Sequence, residues 1–190
     1  AGVNIGNSGT DKVTVALEIL KSKKNLRVLK VPNMDKVEKD FVFKRVRGGT
    51  LMQDLDLKNI AESDLSVATK NAPTESQTVD LLTAWKIVKL VKSNAIAIVK
   101  NGALIGANGG QTSRVDAMKN AIAQAGEQAK GAALASDAFF PFPDAIEAAG
   151  KAGIGCIIQP GGSRNDEIVF EKCNELNIPT VLTATRSFLH

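Results

Sequence analysis

From Asp11 to Lys21 the apolar residues Val13, Ala16, Leu17 and Leu20 recur at helical spacing, which predicts a first helix. Leu26 to Val31 reads as a compact strand ended by Pro32. Lys39 to Val46 and Thr50 to Asp56 flank Gly48-Gly49, a hairpin pattern. Leu65 to Thr69 suggests another short strand. Pro73-Thr74 then opens a strong helix. Thr74 and Gln77 have the spacing of a capping box, and Val79, Leu82, Trp85, Val88 and Val91 give a broad apolar face that runs to about Lys92.

The second half alternates. Ala95 to Val99 and Ala103 to Ala107 are strands joined by Asn101-Gly102, which suits a tight turn. The Gly-rich passage Asn108 to Ser113 runs into a helix, with Ser113 and Asp116 spaced as a second capping box. Leu134 to Ala138 is a strand, Asp144 to Lys151 a helix and Gly155 to Gln159 a strand. Pro160 to Ser163 turns into a further helix, with Ser163 and Asp166 as a third capping box. Thr180 to Thr185 is the last strand. This order predicts an α/β fold, with helices covering a mixed sheet whose C-terminal strands pair in parallel. Ala1 to Thr10 has no period and reads as a mobile end, leaving residues 11–190 as the domain.

One stretch gathers the aromatic residues. Ala135 to Asp144 holds three of the seven Phe and two of the six Pro, between a strand and a helix. Two readings are open. The rings form a flat apolar wall at a strand's C-terminal end, where open α/β sheets bind ligands, or the loop plugs the core. Arg114 falls in the first turn of a helix, against the preference of the dipole. It is better suited to holding an anion or carbonyl brought to that helix end.

Composition narrows the classes. A hydrophobic fraction of 44% and a charged fraction of 23% are those of a soluble globular domain. No membrane span and no signal-peptide pattern is present in these residues, and a reduced cytoplasmic setting is the simplest reading of Cys156 and Cys173. The net charge of +4 lies mainly before position 101. It reads as a solvated surface, or as a field favouring small anions, rather than a nucleic-acid patch. The Gly-rich passage lacks the Gly-Lys-Ser/Thr of a Walker loop and the spacing of a dinucleotide fingerprint. With one His and two distant Cys a zinc site is not expected, and a nucleophilic triad would need His190 as its base.

Several long, irregular motifs together carry a family resemblance. They are Leu26-Arg27-Val28-Leu29, Gly48-Gly49-Thr50-Leu51-Met52-Gln53-Asp54, Ala84-Trp85-Lys86-Ile87-Val88-Lys89 and Val91-Lys92-Ser93-Asn94-Ala95-Ile96. To these are added Gly110-Gln111-Thr112-Ser113-Arg114-Val115-Asp116, Ser136-Asp137-Ala138-Phe139-Phe140-Pro141-Phe142, Ile158-Gln159-Pro160-Gly161-Gly162-Ser163 and Arg186-Ser187-Phe188-Leu189-His190. From about Asp11 to His190 the chain resembles the C-terminal part of the bifunctional purine-biosynthesis enzymes. In these, aminoimidazole carboxamide ribonucleotide (AICAR) transformylase is joined to IMP cyclohydrolase.

The resemblance implies a three-layer α/β/α sandwich of the cytidine deaminase-like kind, as the second of two such halves. It implies formyl transfer from 10-formyltetrahydrofolate to the amino group of AICAR. Asn94 would stand beside the carboxamide and the moving formyl group as a catalytic and substrate-binding residue. Arg114 would contact the carboxamide region, Phe139 the imidazole, and Arg186 the ribonucleotide phosphate. Pro141 and Phe142 would border the folate co-substrate, and Ser93 and Asp137 are similar to residues around a structural monovalent-cation (potassium) site. The family's catalytic Lys-His pair has no match here, since the only His is His190. The resemblance therefore implies that this pair and the cyclohydrolase domain lie in another part of the same polypeptide, and that the site is shared across a homodimer. A non-catalytic nucleotide- or folate-binding module is the alternative. A cytidine-type deaminase is disfavoured by the missing Cys/His ligands and His-x-Glu motif.

Overall fold

The computed structural model describes residues 10–22, 24–28 and 40–189, which fall into two units, Ala1–Leu57 and Lys58–His190. In the first unit, helix α1 (Thr10–Lys21) forms where the spacing predicts it. Strands β1 (Phe41–Val46) and β2 (Gly49–Asp54) make the expected antiparallel hairpin, with Val46 opposite Gly49. The strand expected at Leu26 to Val31 does not form over Leu26–Val28, which have no regular structure. Among the described residues β1 and β2 pair only with each other, and Arg27 and Val28 are exposed, so neither ladder bonds nor burial hold this segment as a strand. The rest of that prediction lies outside the described residues, as do Ala1–Gly9 and His190.

The second unit contains β3 (Ser66–Val67), α2 (Glu75–Val88), β4 (Ile96–Lys100), β5 (Ala103–Asn108), α3 (Arg114–Ala125), β6 (Ala133–Ser136), α4 (Asp144–Lys151), β7 (Cys156–Gln159), α5 (Asp166–Glu175) and β8 (Thr180–Leu182). Its six-stranded sheet runs β3-β8-β7-β6-β4-β5. β6, β7 and β8 are parallel, as the alternation predicts, and the other neighbours are antiparallel.

Alternation along the strands explains the layers. In β4, Ile96 and Ile98 enter one core with α3, α4 and α5, while Ala97 and Val99 enter a second with α2. Leu134 and Ile157 join the first core, and Ala133, Ala135, Cys156 and Ile158 the second. Both faces are thus sealed by helices, which is the expected three-layer α/β/α arrangement. No helix among the described residues is long and apolar enough to cross a membrane.

The Thr74–Gln77 capping box forms with both bonds, and α4 begins and ends where expected. Asn101 and Gly102 take φ of 52° and 74°, the left-handed pair a two-residue hairpin needs. The carboxylate of Asp80 accepts from both of their N–H groups, at 2.8 and 2.7 Å. The apolar face of α2 is rotated from the expected one. Leu81, Ala84, Trp85 and Val88 are buried, Leu82 and Val91 are only partly so, and Val79 is 58% exposed. The helix also ends at Val88 rather than near Lys92.

Candidate functional site

Strand direction brings four separate segments to one edge of the sheet. β4 is antiparallel to both neighbours, so its first residue, Ile96, faces Asn108 at the end of β5 and Ser136 at the end of β6. β7 and β8 run parallel to β6 and end on the same side. Ser93-Asn94 before β4, the Gly-rich passage after β5, the aromatic loop after β6 and the tail after β8 therefore meet there. That edge is where open α/β sheets take ligands.

Gly109 brings the Gly-rich passage close to Ser93-Asn94. A Cβ on Gly109 would stand 2.3 Å from the Lys92 carbonyl oxygen. Gly110 N–H donates to that oxygen at 2.7 Å. The approach lets Asn94 donate through Nδ2 to the carbonyls of Gln111 and Thr112, at 3.0 and 3.2 Å. The Ser93–Asn94 peptide is cis.

Arg114 occupies the first turn of α3, as the spacing predicts, but Ser113 makes no side-chain cap. The guanidinium turns back over the helix end. Nη1 donates to Asn94 Oδ1 at 3.0 Å and pairs with Asp137 Oδ1 at 3.1 Å, while Nε donates to the Phe139 carbonyl at 3.2 Å. Nη2 has no protein partner among the described residues. Burial pulls the Arg114 pKa below its ordinary value, and the charge of Asp137 pulls it partly back.

Asp137 is fully buried and joins three segments. Oδ1 also accepts from Ala95 N–H at 3.1 Å, and Oδ2 from Ser93 Oγ at 2.5 Å. Its backbone carbonyl accepts from Ser187 N–H at 3.1 Å, and Ser93 N–H donates to Leu189 O at 2.9 Å. These bonds strap the tail across the site and set Arg186 beside it. The Arg186 guanidinium lies over the Phe139 ring, 4.8 Å from its centroid, and makes no ion pair among the described residues.

The aromatic loop divides the two readings of its composition. Phe140 is fully buried in the core, whereas Phe139 is half-buried under Arg186 and Phe142 is 58% exposed. Pro141 is fixed through its carbonyl, which accepts from Asn165 Nδ2 at 2.8 Å. No hydrogen bond or ring contact joins Pro141 or Phe142 to the two arginines among the described residues.

The structure thus gathers Ser93, Asn94, Arg114, Asp137, Phe139 and Arg186, with Pro141 and Phe142 further along one loop. The third capping box is displaced. α5 starts after Asn165, and Asp166 Oδ2 accepts from Gly162 N–H at 2.7 Å instead. Asn165 and Gln159 also hold the loop, at Pro141 and Phe140, and sequence reasoning does not single them out. Gln159 carried one signal: it is a polar residue closing the apolar strand Cys156-Ile157-Ile158 at the ligand edge.

The family model described as AICARFT/IMPCHase bienzyme matches residues 10–124. The bifunctional purine biosynthesis protein PurH of Thermoanaerobacter sp. (strain X514) is 50% identical over 175 residues, 92% of this chain and 34% of the relative. PurH of Bacillus subtilis (strain 168) is 48% identical over the same share of each, and PurH of Anoxybacillus flavithermus (strain DSM 21510 / WK1) 52% identical over 176 residues. The chain spans about a third of the length of these relatives. Among solved structures, the dCMP deaminase from the cyanophage S-TIM5 in apo form is 18% identical, covering 57% of this chain and 97% of that one, with a TM-score of 0.38.

Proposed function

The chain belongs to the AICARFT/IMPCHase bienzyme family, and from that premise we propose that it supplies one wall of a cytoplasmic formyl-transfer site. The substrate is AICAR and the formyl donor 10-formyltetrahydrofolate. The amino nitrogen of AICAR attacks the formyl carbon, the bond from that carbon to N10 of the folate breaks, and the proton lost by the amine balances the one gained at N10. The observation that carries the reading is the meeting of two guanidiniums on Phe139. Arg114 is charge-paired and fixed, while Arg186 has no ion pair among the described residues.

In this reading Arg186 offers its forked donors to the ribonucleotide phosphate. Arg114 offers Nη2 to the carboxamide carbonyl, and Phe139 borders the imidazole. Pro141 and the exposed ring of Phe142 line the folate side. Asn94 acts from beside the carboxamide. Both ends of its amide are engaged within the chain, so it either exchanges a bond on binding or serves by holding Arg114. A Lys-His pair from outside these residues supplies the proton transfer, in a site shared between two copies.

Asp137 Oδ2 and Ser93 Oγ, bonded to each other at 2.5 Å, are oxygen atoms of the kind a hard monovalent cation such as potassium takes, and these two residues would contribute to holding it. Asp137 is already charge-paired with Arg114, so the cation would be structural and would supply no chemistry to the transfer. The test of the whole reading is calorimetric titration of the chain with AICAR, for which binding that depends on Arg186 is expected. The internal engagement of Asn94 favours a second reading, a nucleotide- or folate-binding module without catalysis. Binding without formyl transfer, in this chain and in the longest polypeptide that contains it, would leave that reading standing.

A further inference from the structure

Gln159 closes β7 at the ligand edge, and its side chain is fully buried. Oε1 accepts from the backbone N–H of Phe140 at 2.9 Å. Nε2 is buried with no hydrogen-bond partner among the described residues. Buried polar groups are normally satisfied, so an amide half-satisfied in this position costs free energy that an apolar side chain of the same length would not.

What the amide does is visible in a single peptide group. The N–H that Gln159 holds belongs to the Phe139–Phe140 peptide, whose carbonyl accepts from Arg114 Nε at 3.2 Å. In a trans peptide the N–H and C=O point in opposite directions. Gripping the N–H from the β7 side therefore aims the carbonyl toward α3. A hydrogen bond at the N–H also polarises the carbonyl and strengthens it as an acceptor. Phe140 anchors the loop separately, through a ring sealed in the core.

We propose that Gln159 is a positioning residue: through the Phe139–Phe140 peptide it sets the orientation of the Arg114 guanidinium. The inference rests on the reading of Arg114 as a ligand-binding group for its functional meaning, and on the geometry alone for its physical content.

The test uses the full 190-residue chain and nuclear magnetic resonance, without ligand. In Gln159→Leu, hydrogen exchange at the Phe140 amide and at Arg114 Nε–H is expected to accelerate about tenfold, while the β4 amides of Ile96–Val99 keep their protection. Gln159→Glu retains an acceptor oxygen and is expected to restore slow exchange at both. An unchanged Arg114 Nε–H, or uniform acceleration through β4, would overturn the proposal. Should Gln159→Leu not fold, Gln159→Met carries the same comparison. AICAR titration separates the two layers. Failure of the unaltered chain to bind removes the functional reading and leaves the exchange result intact. Given binding, Gln159→Leu is expected to weaken it roughly three- to tenfold.

Discussion

The carboxylate of Asp137, fully buried, pairs with the Arg114 guanidinium at 3.1 Å, linking the end of β6 to the start of α3. Removing one member of a buried pair leaves the other charge uncompensated. Asp137→Ala is expected to cost roughly 3 kcal/mol of unfolding free energy, with a smaller loss for Asp137→Asn, which keeps one acceptor oxygen. Urea unfolding measures both. A loss below about 1 kcal/mol for Asp137→Ala would mean that solvent reaches the pair and that Asp137 does not organise the edge.

Arg186 and Arg114 differ in exposure, which separates their roles on binding. Replacing either with Ala is expected to weaken AICAR binding about tenfold or more. Arg186 is exposed, so its share should shrink as salt is raised, while that of Arg114, whose side chain is only 10% exposed, should hold. Arg186→Lys keeps the charge but loses the flat stacking on Phe139 and should fall between wild type and Ala. Unchanged affinity in both Ala variants would falsify the phosphate and carboxamide assignments.

Gly109→Ala tests the close approach that brings Asn94 within hydrogen-bond reach of Gln111 and Thr112. Its Cβ would meet the Lys92 carbonyl oxygen at 2.3 Å and Val91 Cγ1 at 2.4 Å. Backbone cannot yield there without moving Ser93-Asn94, so a destabilisation of about 1–3 kcal/mol is expected. Calorimetric melting reads it. A variant as stable as the wild type would show that the passage sits further from Lys92.

Cys156 sits in the core with its thiol pushed up to about 12, chiefly by burial and secondarily by the charge of Asp80. Between its ordinary value of 9.0 and about 12 the unfolded chain loses this proton while the folded chain keeps it. Stability from this group is therefore full below pH 9 and is lost as the pH rises to about 12. Denaturant titrations across that range should show a decline that Cys156→Ala makes shallower. An identical slope in the variant would assign the decline to other groups.

Signals carried by neighbouring residues were legible in the sequence. The Asn101-Gly102 turn, the Thr74–Gln77 box and the bounds of α4 depend on a few adjacent positions, and each formed as read. Spacing that merely permits a bond was less reliable. Ser113 has an acidic residue three positions on, yet its side chain makes no cap, and Asp166 caps Gly162 rather than Ser163. Spacing alone leaves the buried face of α2 open, because Val79 and Leu81 are both apolar. Only the position of β4 and β6 beneath the helix decides which of them is buried.

The sequence by itself determined the element order of the second unit, the mixed sheet with parallel C-terminal strands, and the family, because periodicity, turn chemistry and long irregular motifs are properties of contiguous residues. Only the tertiary structure decided what the site residues do to one another. Ser93 and Asp137 are 44 positions apart, and Arg114 and the Phe139 carbonyl 25. They meet because β6 lies antiparallel beside β4, which turns the start of one strand and the end of the other to the same edge. Gln159 reaches the peptide that faces Arg114 because β7 runs parallel to β6 and so ends at the same edge. Strand order is a non-local choice made by packing both faces of the sheet at once, and no short window of the sequence contains it.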